Sequence, residues 1–223
     1  MKINIAIDGP SGAGKSTISD ILAEKLSYIH LDTGAMYRAL AYLTLEKGIG
    51  LNEEDKIVSL IDNDFKLDMR NDGTIYYNGI DVTNKIRTNE ISMAASDISK
   101  LNGVRKGLVK AQKEIAKDGG YIVDGRDICE VVLPDAKVKI YLTANPEDRA
   151  RRRVLQNKEK GIDSDYKAIL EDIKKRDYQD MHREFSPLKK ADDAILIDSS
   201  NLSIEEVVDK ILEIVYREME DLW

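Results

Sequence analysis

Gly9-Pro10-Ser11-Gly12-Ala13-Gly14-Lys15-Ser16 fits G-x4-G-K-[ST] at every position, and Thr17 follows it. A run of this kind can cradle a polyphosphate. Its glycines let successive backbone N–H groups turn inward, its lysine brings a point charge to the β- and γ-phosphates, and its serine hydroxyl can ligate Mg²⁺. Gly9, Pro10, Ser11, Gly12, Ala13, Gly14, Lys15, Ser16 and Thr17 are thus expected to bind ATP, with Lys15 catalytic and Ser16 on Mg²⁺. The blander alternative is a glycine turn between a strand and a helix. The motif follows the apolar run Ile3, Ile5, Ala6, Ile7 and precedes the helical pattern Ile18, Ile21, Leu22, Leu26, which is the context the phosphate chemistry needs.

A phosphate loop does not name the phosphate acceptor. A GTPase switch needs N-K-x-D and D-x-x-G; Asn157-Lys158-Glu159 continues with Lys160, and no aspartate has glycine three residues on. Arg149, Arg151, Arg152 and Arg153 form a second cluster. Neighbours on a helix point in different directions, so two or three at most can face one site. They read as a solvated face, an RNA patch, or a clamp on a migrating phosphoryl group, since guanidinium forks stabilise such charge without titrating. With Lys158, Lys160 and Gly161 the segment 149–166 is expected to form a helical lid.

These residues need a sheet to hold them. Short apolar runs ending on aspartates occur at Ile3–Asp8, Tyr28–Asp32, Tyr121–Asp124 and Ala194–Asp198, with another run at Lys137–Thr143. Helical patterns separate them, at Thr33–Lys47, from Asn52-Glu53-Glu54-Asp55 onward, at Asn89–Lys117, after Asn145-Pro146, and at Ser203–Met219. This alternation predicts an α/β fold, a three-layer α/β/α arrangement on a five-stranded parallel core sheet. Lys66–Met69, Thr74–Tyr77 and Ile80–Val82, joined at Asn71-Asp72-Gly73 and Asn78-Gly79, predict a small antiparallel β insertion over 62–86 within a single domain, 1–223.

The composition sets limits. Of 223 residues, 42% are hydrophobic and 34% charged, with four prolines, which describes a globular chain rather than a disordered one. A net charge of −7 argues against wholesale nucleic-acid binding. The lone Cys129 excludes an intrachain disulfide and fits a reducing cytoplasm, while His30 and His182 add little to a zinc inventory. The apolar start is too short for a signal core or a membrane span. A cytoplasmic monomer without nucleic-acid or membrane partners is expected.

Several segments together resemble bacterial cytidylate kinase, a P-loop nucleoside monophosphate kinase: Asp8–Ser16, Leu31-Asp32-Thr33-Gly34-Ala35-Met36-Tyr37-Arg38, Ile86-Arg87-Thr88, Asp124-Gly125-Arg126-Asp127, and Arg176-Asp177 with Asp180, Arg183 and Ser186-Pro187-Leu188. The resemblance runs in order over nearly the whole chain. It implies transfer of the γ-phosphate of ATP, with Mg²⁺, to CMP and dCMP, and it places the antiparallel insertion in the monophosphate-binding region. It also implies that Arg38, Arg126 and Arg183 hold the CMP phosphate and that Ser96, Arg105 and Asp127 read the cytosine edge. Thr33 would line the base pocket, Arg176 and Asp180 would lie near the ribose and the closing phosphate network, and Arg153 would be the lid arginine on ATP. Lys15, Arg126, Arg153 and Arg183 are then the catalytic set. Asp124 either meets Mg²⁺ through water or caps a helix.

The assignment of the base makes chemical sense. A carboxylate at Asp127 can accept from the cytosine N4 amine, while Arg105 can donate to N3 or O2. Uracil presents an acceptor where cytosine presents the amine, so buried polar pairing discriminates against it. One segment departs from the family pattern: after Gly-Arg-Asp and one apolar residue the family usually has Gly-Thr, and here the chain reads Ile128-Cys129-Glu130. Loss of glycine predicts an altered backbone, and Glu130 predicts added negative charge beside CMP. Two other readings stay open on residues alone: a kinase for UMP or a non-nucleotide alcohol, and a nucleotide-dependent module whose arginine helix contacts RNA.

Overall fold

A computed structural model describes residues 2–63, 65–70, 73–159 and 161–220. The turn residues Asn71 and Asp72, Lys160 of the expected lid, and the tail Asp221-Leu222-Trp223 lie outside the described residues. The elements run β1 (Ile5–Asp8), α1 (Lys15–Leu26), β2 (Ile29–Asp32), α2 (Thr33–Glu46), α3 (Glu54–Asn63), β3 (Leu67–Met69), β4 (Ile75–Tyr77), β5 (Ile80–Asp81), α4 (Asn89–Ile98), α5 (Asn102–Ala116), β6 (Tyr121–Gly125), β7 (Val138–Thr143), α6 (Pro146–Glu159), α7 (Tyr166–His182), β8 (Ile195–Asp198) and α8 (Ile204–Glu220).

The expected five-stranded sheet is present, in the order β2-β6-β1-β7-β8. β1 is its middle strand. Ile5 pairs in parallel with Ile122 on one side and with Val138 on the other, so every residue of β1 is buried. Such a strand needs apolar side chains on both faces, which is why Ile5-Ala6-Ile7 is a continuous apolar run rather than an alternating one. Asp8 stands level with Gly125 and Tyr141, and Thr143 with Asp198, so the carboxyl ends of β1, β6, β7 and β8 share one edge. Ligands of open parallel sheets bind at that edge. The expected antiparallel insertion is also present, as a separate three-stranded sheet, β3-β4-β5.

Contacts divide the chain into two compact units, Met1–Tyr28 with Gly119–Trp223, and Ile29–Asp118. In the first, α8 closes the core with Val207, Val208, Ile211, Leu212 and Val215 buried. Each such side chain contributes at most about 1.5–3 kcal/mol. Ser203 and Glu206 cap its start reciprocally, Ser203 Oγ accepting from Glu206 N–H (3.1 Å) and the Glu206 carboxylate from Ser203 N–H (2.7 Å). α5 stops before Gly119, where a Cβ would sit 2.3 Å from the Lys2 carbonyl oxygen and φ is +78°. In the second unit, Asp32 caps α2 by accepting from Ala35 N–H (2.8 Å).

The single helical stretch expected over Asn89–Lys117 is two helices. Ser99 closes α4, and Leu101 takes an extended conformation (φ −77°, ψ 124°) before α5 begins. Apolar spacing continues across the break because Ile98, Val104 and Leu108 are all buried. Among the described residues no helix is long and apolar enough to cross a membrane.

Candidate active site

In the first unit the phosphate loop leaves the end of β1 and opens α1, whose start carries no side-chain cap. The four N–H groups of that first turn are available to an anion. Gly9 is required sterically: a Cβ there would fall 1.9 Å from the Leu142 carbonyl oxygen. Lys15 is buried, and its ammonium donates to the carbonyls of Gly9 (2.8 Å) and Pro10 (2.9 Å). Burial, reinforced by the nearby Arg126 charge, lowers its pKa to about 7. Ser16 Oγ donates to Asp124 Oδ2 (3.2 Å). Of the two expectations for Asp124, the structure therefore shows it on the loop serine, while the helix it faces has no side-chain cap.

Asp8 does more than end a strand. Its buried carboxylate accepts from the N–H groups of Ile128 (2.8 Å) and Cys129 (2.9 Å). These belong to a short wide helical turn, Ile128–Val132, in which Leu133 N–H reaches back to Ile128 O (2.7 Å). Burial raises the Asp8 pKa against the pull of the two N–H donors. The turn follows Arg126 and Asp127, so the residue before the phosphate loop fixes the backbone after the Gly-Arg-Asp segment.

This turn accommodates Ile128-Cys129-Glu130. Neither Cys129 nor Glu130 has a positive φ, so no glycine is demanded there. The Cys129 thiol is buried, 3.8 Å from the carbonyls of Ala6 and Ile140, and burial raises its pKa beyond reach. The Glu130 charge is paired with Lys189 Nζ at 2.9 Å.

α7 gathers the next group. Asp180 Oδ2 accepts from Arg126 Nε (2.8 Å). Burial alone would raise the Asp180 pKa, but Arg126, with Arg183 and Arg176 beyond it, holds the carboxyl below its ordinary value. Arg183 Nε donates to the Ser186 carbonyl (2.6 Å), and Leu188 N–H to Asp180 O (2.8 Å), which folds the chain after α7 back on the helix end. The expected residues Arg126, Asp127, Arg176, Asp180 and Arg183 thus belong to one unit with Lys15, and Arg126, Arg176 and Arg183 all act electrostatically on Asp180.

The arginine cluster divides differently from a common clamp. Arg149 is buried on internal partners, including Asp177. Arg151 pairs with Asp148 (2.6 Å), and Arg152 grips Ser199 (3.1 Å to Oγ). Arg153 is exposed and has no polar partner among the described residues. Identical residue types hid this split from sequence reading.

In the second unit, Arg38 Nη2 donates to Asp32 Oδ2 (2.9 Å), and its buried Nε has no hydrogen-bond partner among the described residues. Asp32 would be raised by burial, yet Arg38 and His30 hold it low. Thr33, the first residue of α2, is buried. Arg105 is 4% exposed, donates to the Ser99 carbonyl (3.2 Å), and lies 5.9 Å from the Tyr37 ring centroid. Ser96 is half-buried, and its carbonyl accepts from Ser99 Oγ (2.8 Å), so Ser96 and Arg105 both bond to Ser99, the residue that closes α4. Sequence reading assigned Asp8, Asp32 and Asp177 no role of their own, and Arg149 none apart from its cluster. Asp8 and Asp32 had one signal, an aspartate at a strand end.

Comparison with known proteins extends the pattern. Residues 5–217 match the family described as cytidylate kinase. A cytidylate kinase of Caldicellulosiruptor saccharolyticus is 55% identical over 218 residues, covering 97% of this chain and 96% of that protein. One from Bacillus subtilis is 50% identical over 216 residues, covering 96% of each. Among solved structures, an uncharacterized protein from Eubacterium ventriosum aligns over 95% of this chain and 97% of its own with TM-score 0.55 at 14% identity, which speaks to fold alone. With the phosphate loop, the Gly-Arg-Asp segment and the α7 cluster all in place, the chain belongs to the cytidylate kinase family.

Proposed function

We propose that the protein is an ATP-dependent nucleoside monophosphate kinase that moves the γ-phosphate of ATP to CMP, and to dCMP, giving ADP and CDP or dCDP. The observation that carries this reading is the 55% identity to a cytidylate kinase over 97% of the chain. The geometry supports it at the phosphate loop.

In this reading an oxygen of the CMP phosphate attacks the γ-phosphorus, and the bond from that phosphorus to the β–γ bridging oxygen breaks. No side-chain base is needed, because a phosphate monoester is largely dianionic near neutral pH (second pKa about 6). Catalysis is positioning and charge stabilisation. Gly9–Thr17 bind ATP, and the Lys15 ammonium, whose pKa burial lowers to about 7 on the free loop, is favoured in its charged form beside the triphosphate. Arg126, Arg153 and Arg183 spread the charge of the migrating group. Ser16 and Asp124 are an oxygen-only pair 3.2 Å apart, which fits a hard cation such as Mg²⁺. When bound there, Mg²⁺ would neutralise charge on the phosphate oxygens.

CMP is assigned to Thr33, Arg38, Ser96, Arg105, Arg126, Asp127, Arg176, Asp180 and Arg183. The buried, unpartnered Arg38 Nε supports a phosphate contact, and the buried Arg105 guanidinium supports a role on a base edge. The reading includes a single domain over 1–223, an insertion over 62–86 at the monophosphate region, and a lid over 149–166. It takes the enzyme as a cytoplasmic monomer without nucleic-acid or membrane partners, which the net charge of −7 supports for nucleic acid.

A coupled assay of ADP release with ATP, Mg²⁺ and CMP, dCMP, UMP, AMP or shikimate tests it. CMP and dCMP should be the preferred acceptors. Equal turnover of UMP and CMP would remove the roles given to Asp127 and Arg105.

A further inference from the structure

Arg149 is a charged residue only 3% exposed in the first unit, and its guanidinium is committed to the protein on all sides. Nε donates to the Ala144 carbonyl (2.9 Å). Nη1 donates to the Ser11 carbonyl (2.9 Å) and to Asp177 Oδ1 (3.1 Å), and Nη2 to Asp177 Oδ2 (2.6 Å). Three pieces of chain therefore converge on one fork: the end of β7, helix α7, and the third residue of the phosphate loop.

The bond to Ser11 has a directional consequence. The described peptide bonds are all trans. In a trans peptide the C=O of Ser11 and the N–H of Gly12 point in opposite directions within one rigid plane. Holding that carbonyl on Arg149 turns the Gly12 N–H to the side away from α6. The Arg149 stem reinforces this, since a Cβ on Gly12 (φ +76°) would lie 3.4 Å from the Arg149 Cβ. The fork geometry matters, because an ammonium in the same place could not serve Ala144, Ser11 and both Asp177 oxygens with planar, fixed donors.

We propose that Arg149, locked by Asp177, is a positioning residue for the phosphate donor: it sets the Ser11–Gly12 peptide so that the Gly12 N–H faces the bound triphosphate. Arg149 itself touches no substrate. The inference rests on the ATP-binding reading of the loop. Asp177 lies one helical turn from Asp180, so α7 grips the donor loop through Arg149 and Arg126 through Asp180.

The test uses the full chain as wild type, Arg149→Lys, Arg149→Met and Asp177→Asn. Initial rates are measured against ATP at saturating CMP and against CMP at saturating ATP, with ADP affinity by calorimetry and melting temperature by circular dichroism. Arg149→Met should lower kcat/KM for ATP and weaken ADP by roughly 10- to 100-fold, with KM for CMP within about twofold of wild type. Arg149→Lys should recover part of that loss, and Asp177→Asn should show the same split more mildly. If Arg149→Met does not fold, the Lys and Asn variants carry the measurement. ATP and ADP values within twofold of wild type in the folded variants overturn the inference. An equal loss for both substrates also overturns it, because that marks general stabilisation only. A wild-type chain without ATP:CMP turnover would instead sink the functional reading, so the two failures are distinguishable.

Discussion

Asp8→Asn is expected to destabilise the enzyme measurably and to weaken CMP more than ATP. The carboxylate accepts two backbone N–H groups, from Ile128 at 2.8 Å and Cys129 at 2.9 Å, in a site where Asp8 is 1% exposed. Asparagine keeps the shape but supplies one acceptor oxygen. Its amide NH₂ then faces the second N–H, leaving a buried donor without a partner at a cost of about 1–3 kcal/mol. Burial already raises the Asp8 pKa, so removing the charge relieves some desolvation, and the net loss should fall in the lower half of that range. For a chain of this length about 1 kcal/mol corresponds to roughly 2–4 °C in melting temperature. A fall of about 2–8 °C by calorimetry is therefore expected. The same turn follows Arg126 and Asp127, so KM for CMP should rise several-fold while KM for ATP changes less. A variant whose melting temperature stays within 1 °C of wild type, with both KM values unchanged, would refute the view that Asp8 holds this turn.

Three further outcomes follow from single residues. Gly9→Ala places a Cβ 1.9 Å from a backbone oxygen and should abolish ATP binding or soluble expression; a folded variant of normal ATP affinity would contradict the close approach of β7. The Asp180 carboxyl has a folded pKa held below the ordinary 3.8, so its contribution to stability is present above that value and is lost as pH falls through the folded pKa. Denaturant titrations should accordingly show the gap between wild type and Asp180→Asn narrowing below about pH 4, and a gap independent of pH would dispose of the Arg126 pairing. Glu130→Gln should leave KM for CMP unchanged, because its charge is already answered by Lys189 at 2.9 Å; an improved CMP affinity would mean that the charge does reach the substrate.

What could be read from the sequence was what local chemistry controls. Glycines of the phosphate loop, the aspartates at strand ends and the Asn78-Gly79 hairpin each announce a backbone conformation on their own. The break at Leu101 did not announce itself, since the residues around it keep helical spacing on both sides. Nor did the role of Arg149: Arg149, Arg151, Arg152 and Arg153 differ only in direction around α6, and direction decides which is buried on Asp177 and which is left exposed. What holds the Cys129 turn was hidden for a related reason: it takes φ values open to any residue and is held from Asp8, some 120 residues away in the chain.

The central place of β1 has a consequence for how the protein is made. Its neighbours are β6 and β7, so the strand that leads into the phosphate loop has no partner until residue 125 has been synthesised and only one until residue 143. At about 5–20 residues per second the full wait is roughly 7–30 s, so an apolar strand and its glycine loop emerge first but are flanked on both sides only at its end. Ile29–Asp118, contiguous in the chain, is synthesised in full within that interval. The donor loop is therefore among the first residues translated yet waits for β7, and a truncated chain ending before β7 would carry the full phosphate motif without the strand whose Leu142 carbonyl lies against Gly9.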